Sequence, residues 1–212
     1  MKHISKIAIL GGTGKSGKYL VKLLLSQGFH LKLLLRDPEG FQINSPLIEV
    51  VKGDARAYES VELLADGCQA ILSMLGQPKG ESTIFSQATK NVIRAMKHFA
   101  IERYILATGL NVDTPFDKKG VKTKMATDWM YEHYPKTTAD KQYEFEVLSN
   151  SDINWTLVRL PMIEQTDLRS KMLVSLEDCP GEKISATDLA HFVVDQLFDS
   201  TYARKAPFIA NV

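Results

Sequence analysis

Apolar residues along the chain form short continuous runs that alternate with longer stretches of helical spacing. Lys6–Leu10 (KIAIL) is brief, β-branched and stopped by Gly11 and Gly12, which predicts a buried strand. Beyond the glycines, Tyr19, Leu20, Leu23, Leu24 and Gln27 recur at helical spacing, and Gly28 stands where a helix C-cap belongs. His30–Leu35 predicts a second strand ended by Arg36-Asp37-Pro38, and Leu47–Val51 a third after a loop rich in Pro and Gly. The pattern then predicts a helix over Ala57–Ala65 and a strand over Ala70–Leu75. A long helix follows, with Phe85, Ala88, Val92, Met96 and Phe99 on one face, and then a strand over Tyr104–Ala107.

Strands that are nearly all apolar and alternate with helices imply a parallel sheet covered on both faces, because a parallel crossover needs a helix to return the chain. Gly109–Lys124 is polar and turn-rich, a length of loop that commonly contacts ligand or moves. A helix through Asp140–Leu148, a strand over Trp155–Val158, an irregular stretch to Gly181 and a helix from Asp188 to Phe198 complete the pattern. No repeat or linker interrupts it. The expected architecture is an α/β, Rossmann-type doubly wound parallel sheet, one domain over residues 1–212, with a small C-terminal lobe on the substrate side.

Composition narrows the partners. The 212 residues carry 26 Lys and Arg against 25 Asp and Glu, a formal charge of +1, with 44% apolar residues. A chain this long buries about 70% of its unfolded surface, enough for a core without disulfides or metals. Near-neutrality argues against direct nucleic-acid binding and against lying on an anionic membrane, and no run reaches the ~18 apolar residues of a span. Cys68 and Cys179 fit no disulfide or CxxC pattern and read as reduced thiols. Only four apolar residues follow Met1-Lys2-His3-Ile4-Ser5-Lys6 before the glycines, too few for a signal peptide, so a cytoplasmic location is expected. His3, His30, His98, His133 and His191 lack metal-ligand spacing, and no metal is expected. No G-x-S-x-G elbow is present, which disfavours hydrolysis.

The most informative stretch is Gly11-Gly12-Thr13-Gly14-Lys15-Ser16-Gly17, where Gly12, Gly14 and Gly17 satisfy G-x-G-x-x-G between a predicted strand and a predicted helix. The turn needs glycine freedom, a diphosphate approaches only bare backbone, and a helix start presents free N–H groups at a positive dipole end. These requirements point to a dinucleotide. Gly12–Lys18 also reads G-x-x-x-x-G-K, but Tyr19 replaces the Ser or Thr that a triphosphatase needs for magnesium. The second strand ends in Arg36, suited to a 2′-phosphate, and Lys15 adds a cation nearby, so NADP(H) is preferred over NAD(H); Asp37 keeps both open.

These residues, with Leu35-Arg36-Asp37, Gly53-Asp54-Ala55, Met74-Leu75-Gly76, Asn91-Val92, Trp155–Pro161 and Ile184–Ala190, resemble the atypical short-chain dehydrogenase/reductase superfamily, in the branch of NmrA-like proteins and biliverdin-IXβ/flavin reductases. The resemblance covers nearly the whole chain. It implies that Asp54 and Ala55 lie beside the adenine, Leu75 and Gly76 along the cofactor ribose, Thr108 and Gly109 near the nicotinamide, and Pro161 and Met162 around the carboxamide. Lys141 occupies what looks like the lysine position of the family's Tyr-x-x-x-Lys pair, and with Thr108 it is a candidate catalytic side chain. The chain departs from the family at the tyrosine, where Thr137 stands.

A missing phenolic acid constrains the chemistry. A ketone becomes an alkoxide that needs a proton, whereas a flavin, quinone or linear tetrapyrrole takes hydride into a conjugated system that solvent can protonate. The expectation is hydride transfer from NADPH to such an acceptor by a monomer or homodimer. Two alternatives stay open: a non-catalytic redox sensor that passes dinucleotide state to a protein partner, and a sugar-nucleotide or isoflavone-type reductase. The four lysines of Asp117–Lys124 could steer an anion, although a solvated loop is the commoner outcome. Phe116, Trp129, Tyr131 and Tyr134 could stack on a planar acceptor or simply pack.

Overall fold

The computed structural model describes residues 4–212; positions 1–3, His3 included, lie outside the described residues. From the N-terminus the elements are β1 (Lys6–Leu10), α1 (Gly17–Ser26), β2 (His30–Leu35), β3 (Ile48–Lys52), α2 (Tyr58–Ala65), β4 (Ala70–Ser73), α3 (Phe85–Phe99) and β5 (Arg103–Gly109). There follow α4 (Val121–His133), α5 (Pro135–Ser149), β6 (Asn154–Leu160), β7 (Met162–Glu164), β8 (Met172–Ser175), β9 (Lys183–Ser185), α6 (Ala186–Asp195) and β10 (Phe208–Asn211).

The sheet runs β3-β2-β1-β4-β5-β6-β10-β9-β7, with β8 paired to β10. Strands β1 to β6 are mutually parallel, and the order reverses between β1 and β4. In a doubly wound sheet that reversal opens a crevice at the carboxyl ends of the strands, where ligands bind. The small C-terminal lobe is the far edge of the same sheet: β10 lies parallel to β6 and antiparallel to β8 and β9.

The two-residue period of β1 divides the core. Ala8 and Leu10 pack with Leu64, Val92, Tyr104 and Leu157 on one face; Ile7 and Ile9 pack with Leu24, Leu33, Ile105 and Val193 on the other. Helices α1 and α6 cover the second face, and α2, α3 and α5 the first. Gly28 closes α1 with φ +81°, its N–H bonding Leu25 O and that of Phe29 bonding Leu24 O, the paired bonds of a Schellman end.

Differences from the sequence pattern concentrate after β5. Helix α4 covers the end of the stretch expected to be loop, because its helix has no apolar core face: Thr123 and Thr127 are buried while Val121, Met125 and Trp129 are exposed. Helix α5 begins five residues before the expected Asp140, with Pro135 in its first turn, where a missing N–H costs nothing. The stretch expected to be irregular holds β7 and β8, too short to show a period. Helix α6 spans Ala186–Asp195, capped by Ser185, whose hydroxyl accepts from the N–H groups of Thr187 and Asp188.

Candidate dinucleotide site

Between β1 and α1 the chain turns through residues 11–16. Gly11 has φ +73°, and a Cβ there would lie 2.5 Å from the Met74 carbonyl oxygen; a Cβ on Gly17 would overlap the Gly11 carbonyl oxygen. Gly14 donates to that same oxygen at 3.1 Å. Steric need is therefore greatest at Gly11 and Gly17, while a Cβ on Gly12 or Gly14 of the G-x-G-x-x-G read from the sequence would meet its nearest neighbour, Val21 or the Gly11 carbonyl oxygen, at 3.2 and 3.3 Å.

The loop leaves donors over. Among the described residues the N–H groups of Thr13, Lys15 and Ser16 find no acceptor. Ser16 makes no capping bond and the first turn of α1 carries no acidic residue, so the positive end of the helix is uncompensated. Thr13, Gly14, Lys15 and Ser16 all line a cleft of about 1080 Å³. Unmatched N–H groups on bare backbone at a helix start fit a diphosphate.

The same cleft brings together most of the expected site residues. Gly11, Arg36 and Ala55 line its loop end, Leu75 and Gly76 its floor, and Thr108, Gly109, Lys141, Pro161 and Met162 its far end. Gly12, Gly17 and Asp54 do not line it. The two glycines shape the loop from behind, while the Asp54 carboxylate accepts from the Arg56 backbone N–H at 2.8 Å and from its guanidinium at 2.9 Å. Gln77, Pro78 and Glu81 also line the cleft; sequence reading missed them, although their polar turn directly follows a strand at the cleft edge.

At the far end, the Thr108 hydroxyl is buried with no partner, as is Gln77 Oε1. Helix α5 is fixed there by Asp140, which accepts from the backbone N–H groups of Phe85 and Ser86 and caps α3 across the interface. This places the next residue, Lys141, in the cleft with its ammonium 4.9 Å from the Phe85 ring centre. Burial lowers the Lys141 pKa and raises that of Glu144, one turn further on, to about 7. Thr89 Oγ1 donates to Glu144 at 2.7 Å. Among the described residues no tyrosine lines the cleft; Thr137 lies outside it, half-buried.

The polar stretch after β5 is bound into the structure. Asp117 accepts from the buried Arg159 at 2.7 Å on both oxygens, and the Arg159 guanidinium stacks 3.5 Å over Phe208. Lys118 pairs with Glu177, the buried Lys119 with Asp113, and Lys122 with Glu182. Three of the four lysines thus pair with carboxylates, and Lys118, Lys122 and Lys124 are exposed, in keeping with the solvated reading of this segment rather than with the steering one. Phe116, Trp129, Tyr131 and Tyr134 do not line the cleft, and Trp129 stacks on His133 at 4.4 Å.

A family model described as NAD(P)H-binding matches residues 11–200. The chain belongs to this NAD(P)H-binding family. Its fold is that of a short-chain dehydrogenase/reductase from Veillonella parvula, solved in complex with NADP, with a TM-score of 0.81 at 17% identity over 99% of this chain and 95% of that one. An oxidoreductase from Lactococcus lactis matches with a TM-score of 0.79 at 17% identity, covering 98% of this chain and 91% of that one. In sequence, an uncharacterised chloroplast protein of Arabidopsis thaliana is 24% identical over 87% of this NAD(P)H-binding chain and 68% of its own length. Among the described residues no helix is long and apolar enough to cross a membrane.

Proposed function

We propose that this chain is an NADP(H)-dependent reductase acting on a conjugated acceptor such as a flavin or quinone. The observation that carries the reading is one cleft joining the unmatched N–H groups of Thr13, Lys15 and Ser16 to Arg36 at one end and to Thr108 and Lys141 at the other. The loop would hold the diphosphate, Arg36 the 2′-phosphate, Ala55 the adenine side, and Leu75 and Gly76 the ribose. Thr108, Gly109, Pro161 and Met162 would surround the nicotinamide, which when bound supplies hydride from its C4.

The chain's own part is mainly positional. Lys141, held by the Asp140 cap, places an amine at the reacting end whose burial lowers its pKa and so eases proton release, and the unpaired Thr108 hydroxyl is free to orient a carboxamide or acceptor oxygen. With no tyrosine in the cleft, an acceptor that spreads the incoming charge through conjugation suits this end better than a simple ketone. Two free thiols support a cytoplasmic location.

Steady-state NADPH oxidation with flavin, quinone and tetrapyrrole panels tests the enzyme, and no turnover above the buffer rate with any of them removes the claim. Arg36→Ala should weaken NADPH about tenfold and leave NADH unchanged. A second reading, a dinucleotide sensor with a protein partner, is favoured by the exposed Val121, Met125 and Trp129 on α4. Tight NADPH binding without turnover, together with a co-purifying protein lost on Met125→Glu, would select it.

A further inference from the structure

Where the cleft meets the end of β2, a carboxylate sits between two arginines. Glu81, in the loop between β4 and α3, bonds Arg36 Nη1 through Oε1 at 2.5 Å and Arg56 Nη1 through Oε2 at 3.1 Å. Arg36 beside it holds the Glu81 carboxyl below the usual carboxylate range, so it is charged at neutral pH.

Arg56 is fixed in place. Its Nη1 also donates to Asp54 at 2.9 Å, its Nη2 to Ser82 O at 2.9 Å and its Nε to Thr83 O at 3.4 Å. The loop backbone is fixed too, because Gln77 Nε2 donates to the carbonyl oxygens of Pro78, Glu81 and Ser82 at 3.1 to 3.2 Å. The movable part is the Glu81 side chain, which is 40% exposed and free to change rotamer without moving the loop.

We propose that Glu81 is a resident stand-in for the cofactor 2′-phosphate, and that Arg56 is the second guanidinium of the 2′-phosphate site. The inference rests on the reading of Arg36 given above. Two arginines already grip opposite oxygens of one anion, the arrangement a phosphate monoester also satisfies. With Glu81 turned outward, Arg36 loses its one partner among the described residues and an Nη1–H of Arg56 is freed beside it.

Charge supplies the discrimination. Arg36 and Arg56 are balanced by Glu81 and Asp54, and Asp37 also lines the cleft, so a phosphate added with Glu81 seated would meet excess negative charge. A phosphate dianion outcompetes the carboxylate for the pair of guanidiniums. A neutral ribose 2′-hydroxyl does not, and NADH binds with Glu81 still in place. The carboxylate thus weakens NADPH by the cost of its own displacement while leaving NADH nearly untouched, and so narrows the preference that the two guanidiniums create.

Fluorescence titration of NADPH and NADH into the wild-type chain, Glu81→Gln, Arg56→Ala and Arg36→Ala tests this. Glu81→Gln keeps the shape and removes the charge: it should tighten NADPH about fivefold and leave NADH within about twofold. Arg56→Ala should weaken NADPH about tenfold with NADH unchanged, and Arg56→Lys should fall between, because it keeps the charge and loses the fork. An unchanged NADPH affinity in Glu81→Gln, or equal shifts for both nucleotides in either the Glu81 or the Arg56 variants, overturns the proposal. If Arg36→Ala abolishes the NADPH preference while Glu81→Gln does nothing, only the stand-in falls. If Arg36→Ala leaves the preference intact, the reading beneath it falls as well.

Discussion

Two polar, turn-rich stretches leave the carboxyl ends of parallel strands, and they treat their hydrogen-bonding groups in opposite ways. Residues 11–16, after β1, leave the N–H donors of Thr13, Lys15 and Ser16 unmatched beside a cleft. Residues 110–120, after β5, are tied down: Asp117 to Arg159 and Thr114, Lys119 to Asp113, and the Asp113 N–H to Gln142. Glycine or lysine content alone does not separate the two. What separates the two is where their polar groups find partners: much of the second stretch is paired within the protein, whereas Thr13, Lys15 and Ser16 keep N–H groups at a helix start for solvent or an anion.

The sharpest way to break this contrast is Gly17→Ala. Its methyl would overlap the Gly11 carbonyl, so the variant should lose about 3 kcal/mol of stability and its dinucleotide binding together, read by thermal melting and NADPH titration. Asp117→Asn should cost about 3 kcal/mol by leaving the buried Arg159 without its counter-charge, yet the folded fraction should bind NADPH with unchanged affinity. Loss of binding in that variant would mean that the second stretch also serves the ligand.

Glu144 tests the wall between them. Burial holds its pKa near 7, so between about pH 4.5 and 7 the folded chain keeps a proton that the unfolded chain has released. Stability should therefore fall as pH rises through that window, by roughly 3 kcal/mol, and level off above it. Glu144→Gln should remove the fall, seen as melting temperatures that converge at pH 5 and separate at pH 8. The smallest effect belongs to Lys118→Ala and Lys122→Ala, solvent-screened pairs whose loss should leave both the melting temperature and the NADPH KM unchanged.

The first half of the fold was legible in the sequence because each strand is a buried apolar run closed by Gly, Pro or a charge, as in Lys6–Leu10 and His30–Leu35. Past β5 the code weakens for physical reasons. Helix α4 buries threonines rather than an apolar stripe, so it has no period to read, and β7 and β9 span three residues each. Within the site, the glycine loop and Arg36 were legible as types at a known spacing. Gln77 and Glu81 were not, because their place at the cleft depends on how Arg56 and the Gln77 amide pin a loop that looks unremarkable in one dimension. The Trp155–Pro161 segment was legible as a family mark, but the work of Arg159 is to hold the approach to β10 and the polar stretch together, through Ala206 O and Asp117.

Both ends of the cleft hang from one continuous hydrogen-bonded sheet, from β3 at one edge to β7 at the other. Among the described residues both walls of the cleft belong to that one sheet. For the proposed reductase, turnover should therefore be governed by arrival and departure at the cleft mouth rather than by any swing of one half against the other.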